Sequence, residues 1–240
     1  MDYLLEHVSH RPWPLPHKSW RWKQKWKDLL FVHWEVDKDW LRSKIPPKLE
    51  LDLFNDKAWI GIVPFSMYGV TLKGFPAPKF MCNFPEINIR TYVRHRDKSG
   101  IWFFSLDVPN PIAVWAARTF FYLPYYLAKM QATDNSENIH YFHQRNDKVF
   151  NAYYKSDRHL NVAADSFEHW ATERYCLYTT TAKGDLIIGQ IHHQKWPLRE
   201  AKLEILQNTL LDRIPVGGMH SSILFSKSID VIIFPIEKVE

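Results

Sequence analysis

Cysteine is scarce: 240 residues carry only Cys82 and Cys176. They form no Cys-x-x-Cys pair, which excludes a disulfide-stapled secreted scaffold and reads as a reduced, intracellular chain with no disulfide. Glycine is scarce too, with 8 residues. There is no GxGxxG or GxxxxGK[ST] run, so a nucleotide-cradling loop is not expected. The GxSxG elbow and the HExxH helix are also missing, which removes two common hydrolase designs. No Gly/Ser linker, low-complexity tract or internal repeat divides the chain, so one domain over residues 1–240 is expected. The N-terminus, MDYLLEHVSHRPW, has neither a basic leader region nor an apolar stretch of signal length, which points to the cytoplasm. No hydrophobic run reaches the ~20 residues of a membrane span. The nearest, Ile112 to Ala128, contains Arg118 and Pro124 and reads as a buried helix. The 12 histidines include two close pairs, His140 with His143 and His192 with His193, and no thiol or carboxylate cluster joins them. Structural roles are expected for them, with no metal and no cofactor.

What is abundant is aromatic: 11 Trp, 11 Tyr and 15 Phe. Such side chains fill a core or line a pocket. Lys and Arg total 31 against 26 Asp and Glu, a net charge of +5. Much of it sits in Trp20 to Lys27, where Trp20, Trp22 and Trp26 alternate with Arg21, Lys23, Lys25 and Lys27. A period of two describes a strand with an aromatic face turned inward and a basic face in water. An edge strand guarded by lysines is expected. No zinc finger, RNP box or heptad accompanies it, so nucleic acid is not an expected partner.

Three prolines, Pro12, Pro14 and Pro16, mark an extended N-terminal arm, and Asp39 to Lys44 reads as a short helix stopped by Pro46 and Pro47. Strands are expected at Trp59–Phe65, Glu86–His95, Ile101–Asp107, Phe150–Tyr154, Arg174–Thr181, Leu186–Gln194 and Ile229–Pro235. Turns are expected at Asp97–Gly100 and Lys183–Asp185. Helices are expected at Pro111–Phe121, as a turn after Pro124, and at Glu200–Leu211, where Leu203, Leu206 and Leu210 recur at helical spacing. The fold class is therefore α+β, rich in β, with antiparallel sheets or a barrel.

Phe84 to Val93, FPEINIRTYV, is the most informative short pattern. As a strand it places Glu86, Asn88, Arg90 and Tyr92 on one face and Ile87, Ile89, Thr91 and Val93 on the other. Glu86 and Arg90 would lie about 13 Å apart along it, too far for easy direct pairing.

The blocks LLFVHWEVDKDWLRSKIPPKLELDLFNDKAWIGIVPFSM, FPEINIRTYV, GIWFFSLD, AARTFFYLPYYLAKM, ERYCLY and KWPL, from about Leu29 to Leu198, resemble the YqjF-like family. That family is similar in turn to the acetoacetate decarboxylase-like superfamily, which implies a cone-like antiparallel barrel around a small pocket. LRSKIPPKLELD and IPVGGMHSSILFSKSIDVIIFP resemble the decarboxylase's entry helix and closing segment. By that resemblance Glu86 stands where the enzyme has its active-site glutamate, and Lys27 stands near its active-site arginine. Tyr125 and Tyr126, after Pro124, stand where the enzyme has two lysines, one of which forms an imine with substrate. A phenol forms no imine, so Schiff-base decarboxylation is not expected. Lys129, four residues after Tyr125, would share its face if the chain were helical there.

The expected site is thus Glu86, Tyr125 and Tyr126 for proton transfer, with Arg90, Asn88, Arg118 and Lys27 holding the ligand. The expected function is acid/base chemistry on, or binding of, a small carbonyl, carboxylate or aromatic compound. A non-enzymatic binder or sensor, and a membrane-surface protein using the Trp–Lys strand, are the alternatives. A small-molecule ligand is the expected partner, with a homo-oligomer left open.

Overall fold

The computed structural model describes residues 2–77 and 83–239. Cys82 lies outside them, while Cys176 is a buried free thiol. The N-terminal half contains β1 (Trp22–Val36), β2 (Glu50–Leu51), β3 (Ala58–Leu72), β4 (Asn83–His95), β5 (Lys98–Val108), β6 (Tyr125–Leu127) and β7 (Lys129–Asp134). The remainder holds β8 (Ile139–Arg145), β9 (Lys148–His159), β10 (Cys176–Thr180), β11 (Leu186–His192), β12 (Leu198–Asn208), β13 (Ser222–Ile233) and β14 (Glu237–Lys238). Among the described residues the helices are α1 (Asp2–Glu6), α2 (Lys38–Arg42), α3 (Pro111–Phe121) and α4 (Phe167–Thr172).

The strands run β11-β10-β5-β4-β3-β1-β13, and β11 pairs again with β13, so seven of them close a ring. From β13 the sheet continues through β12, β9, β8 and β7. Two of the apolar clusters that result lie on opposite faces of the central strands. Leu29, Phe31, Val63, Phe65 and Val231 belong to one, and Leu30, Val32, Ile62, Ile89 and Phe225, packed with Tyr141, Phe150 and Tyr154 of β8 and β9, belong to the other. Most pairings are antiparallel, as expected; β10 with β5 and β5 with β6 are parallel.

Several expectations need correction. The Trp–Lys strand is no edge: β1 pairs with both β3 and β13. Trp22 and Trp26 pack against the first cluster, and Trp20 packs against Leu4, Ile232 and Phe234, so all three rings are half-buried. Lys23, Lys25 and Lys27 occupy the opposite face, half-buried, with Lys27 over the Tyr68 ring at 4.4 Å. At Asp28, whose φ is 54°, the alternation inverts: Trp22 and Trp26 face the first cluster from even positions, Leu29 and Phe31 from odd ones. β13 inverts at the same level, with Leu224 on one side of the change and Ile229 and Val231 on the other. Lys227, ion-paired to Asp28 at 2.7 Å, stands at that step.

Residues 198–208 form strand β12, not a helix, paired with β9 and β13. The turn before β5 falls at residues 96–97, and Gly100 lies within the strand. A Cβ there would sit 2.7 Å from Cys176 Sγ, so β5 and β10 need glycine to approach this closely. Helix α3 starts where Asn110 accepts hydrogen bonds from the Ile112 and Ala113 amides and ends at Tyr122 in a left-handed conformation. It is not buried: Ala113 faces inward, while Trp115 and Phe120 are exposed. No described helix is long and apolar enough to cross a membrane.

Candidate functional site

Strands of the ring border a cavity of about 170 Å³, which Ala113, Ala117 and Phe121 of α3 also line. Its wall is aromatic. Trp26 packs between Phe65 and Trp196, and the Phe31 ring meets Trp196 edge-on at 5.1 Å. Alternation along β4 turns Glu86, Asn88 and Arg90 into this space, while Ile87 and Ile89 enter the opposite core. Pairing carries the cavity face across the sheet: Asn88 lies beside Leu106, and Leu106 beside Tyr125.

Glu86 is 2% exposed. The Tyr125 hydroxyl donates to its Oε2 at 2.9 Å. Burial pushes the Glu86 carboxyl up to about 8, against the opposing pull of that hydrogen bond, with the negative charge of Asp107 adding to the rise. Tyr125 is itself pushed well above the ordinary phenol range, by burial first and then by Glu86. At neutral pH the pair therefore holds its protons. A carboxylic acid that is neutral near pH 7 and ionises slightly above it is suited to giving and taking protons.

Arg90 reaches away from Glu86. Its Nη2 donates to the Ala171 carbonyl at 3.4 Å, and its guanidinium lies 5.2 Å from the Phe31 ring and 5.8 Å from Tyr92. Asn88 Oδ1 is buried without a hydrogen-bond partner.

The other expected residues lie elsewhere. Tyr126, next to Tyr125 on β6, points to the opposite face of the sheet, between the guanidinium groups of Arg118 at 5.0 Å and Arg145 at 4.3 Å. Arg118 donates from Nε to the Tyr125 carbonyl at 2.6 Å, so it braces β6 from outside the cavity. Lys27 faces away on β1, as described. Lys129 begins β7 and is exposed; the segment after Pro124 is extended, so Lys129 gains no helical neighbour on Tyr125. None of the described residues lining the cavity is a lysine.

Sequence reasoning overlooked a second arginine. Arg174, just before β10, lines the cavity, is ion-paired to Asp52, donates from Nε to the Trp170 carbonyl, and stacks 5.0 Å from Tyr92. Thr172 and His193 lie at the same end, and burial lowers the His193 pKa. Asp107 was overlooked as well. It is buried against His143 at 2.7 Å and Arg145 at 2.6 Å on the Tyr126 side of the sheet. Of the two histidine pairs, His140 lies 2.9 Å from Asn151 Oδ1, His143 is paired with Asp107 and His192 lies 2.7 Å from the Leu4 carbonyl, whereas His193 borders the cavity.

The DUF2071 family model, described as an uncharacterized conserved protein, matches residues 23–230. The chain belongs to that family. A relative within reach of whole-chain alignment is the uncharacterized protein YqjF of Bacillus subtilis (strain 168), 39% identical over 98% of this chain and 99% of its own. Among solved structures, the acetoacetate decarboxylase of Legionella pneumophila superposes with a TM-score of 0.65, covering 99% of this chain and 95% of that one at 14% identity. The enduracididine biosynthesis enzyme MppR, complexed with the condensation product of pyruvate and imidazole 4-carboxaldehyde, gives 0.68 over 91% and 88% at 12% identity. At such identities the likeness establishes the fold: this DUF2071 member has the acetoacetate decarboxylase-like architecture.

Proposed function

We propose that this protein acts by proton transfer on a small carbonyl compound bearing a carboxylate, without forming a Schiff base. The observation that carries the reading is Glu86: a buried carboxyl pushed up to about 8, hydrogen-bonded to Tyr125 and facing an aromatic cavity. In this reading the ionised form of Glu86, a minor fraction at neutral pH that grows as pH rises through about 8, takes a proton from the carbon next to the ligand carbonyl. Tyr125 stabilises the oxygen on which charge then develops, and Arg90 holds the carboxylate. Phenols replace amines at positions 125 and 126, and no described cavity residue is a lysine, so covalent electron withdrawal through an imine has no support here. The related folds include an enzyme that binds a pyruvate-derived ligand, which is consistent with this class of compound.

The test is exchange of the ligand's α-protons for deuterium, followed by NMR over a panel of keto acids. Glu86→Gln should slow exchange by 100-fold or more, the usual scale for losing a general base. Binding of a keto acid with no exchange in the wild type would instead identify a binding protein. Borohydride trapping should give no adduct; one mapped to any lysine would reject the non-covalent mechanism.

A further inference from the structure

The cavity has two polar ends, and their separation restricts what it can hold. At one end Glu86 meets Tyr125. At the other, Arg90 and Arg174 both lie against the Tyr92 ring, with Thr172 beside them. Glu86 and Arg90 are four residues apart on one strand, about 13 Å between Cα atoms. The Arg90 side chain leans further from Glu86, towards Tyr92 and Ala171. Between them on β4 lies Asn88, with its unpartnered Oδ1, and the rest of the wall is largely apolar, with Phe31, Val63, Phe65 and Trp196 among its side chains.

The arginine end has unused capacity for an anion. Arg174 is 5% exposed and paired with Asp52, yet its Nη2 has no hydrogen-bond partner. Arg90 makes no ion pair among the described residues, and its buried Nε is likewise without a partner. Buried cationic donors left this way are destabilising until something accepts from them. A carboxylate accepts two parallel hydrogen bonds from a guanidinium, and its charge would balance the unpaired Arg90.

We infer that the substrate is an elongated, amphiphilic keto acid. Its carboxylate sits at Arg90 and Arg174, its enolisable carbonyl sits at Glu86 and Tyr125, and an aryl ring or medium-length carbon chain spans the aromatic wall between them. A short β-keto acid such as acetoacetate, whose two groups are separated by one carbon, reaches only one end at a time. Arg174 is then a second carboxylate-binding residue, and its pairing with Asp52 holds it in place. This inference rests on the proton-transfer reading for the carbonyl end alone; the carboxylate end stands independently.

The experiment is a binding series with acetoacetate, levulinate and 4-acetylphenylacetate, read by tryptophan fluorescence and by calorimetry. The methyl ester of the last is the charge-free control. Affinity should rise with the separation of carboxylate from carbonyl, by tenfold or more between acetoacetate and 4-acetylphenylacetate, and the ester should bind at least tenfold more weakly than its acid. Arg90→Gln should shrink that acid–ester difference by several-fold, weakening the acid more than the ester. Equal binding of all three acids, or an unaltered acid–ester gap in Arg90→Gln, would overturn the inference. Because Arg174→Gln breaks the pair with Asp52 and so endangers folding, the wild-type acid–ester comparison decides without it. Deuterium exchange separates the two readings: a length-dependent acid preference without exchange defeats proton transfer alone, whereas exchange that is fastest on acetoacetate defeats the elongated substrate alone.

Discussion

Glu86 links the chemistry of the site to the stability of the protein. Its carboxyl is raised from an ordinary value of 4.5 to about 8 in the folded state. Between those values the folded chain keeps a proton that the unfolded chain has released, so stability falls as pH rises through the window, by about 1.4 kcal/mol per unit at most. Below 4.5 both states are protonated and the effect vanishes. Glu86→Gln, neutral at every pH, should therefore melt higher than the wild type at pH 9 and about equally at pH 4. Thermal unfolding of both proteins across that range checks it, and the difference cancels the opposite contribution of buried His33 and His193, whose pKa values burial lowers. The β4 residues of the cavity were legible because period-two alternation is local. Tyr125 came from the resemblance. Arg174 and His193 were not legible, because each stands at the end of a strand where no periodicity surrounds it, and closure of the ring alone brings them to Arg90. Tyr126 was misplaced for a simple reason: neighbours on a strand face opposite ways.

Among the elements, β12 shows where local reasoning fails. Leu198–Asn208 is full of good helix formers, and Leu203, Leu206 and Leu210 have helical spacing. The same stretch also alternates, with Ala201, Leu203 and Ile205 half-buried and Lys202, Glu204 and Leu206 exposed. Hydrogen bonding to β9 and β13 on either side decides in favour of the strand. Leu203→Ala should cost roughly 1–3 kcal/mol in urea unfolding, and Leu206→Ala under about 0.5. Comparable losses would be the signature of a helix burying both. β4 and β5, by contrast, were legible nearly to their ends, because each carries β-branched and aromatic residues between clear turns.

At the scale of the whole molecule, the ring is unevenly joined. β1 and β3 share a long ladder, whereas β10 meets β5 through two residue pairs and β11 meets β13 through two more. Amide hydrogen exchange should accordingly be faster in β10 and β11 than in β1, β3 and β4. Gly100→Ala, which forces a methyl group towards Cys176, should widen that gap in exchange rates and leave β1 and β3 protected. Arg11 and Trp13 of the N-terminal arm fasten the looser part, donating to the Ile191 carbonyl and the Gln190 side chain.

The inversion at Asp28 has a further consequence for how this protein can change over generations. The two stretches of β1 are written in different reading frames, kept in step by one left-handed residue opposite Lys227. A point substitution alters one side chain. Loss of a single codon between positions 23 and 27 would instead turn Trp22 to the outside and bring a lysine against the aromatic wall, so lineages carrying this cavity should vary in the letters of β1 far more readily than in their number.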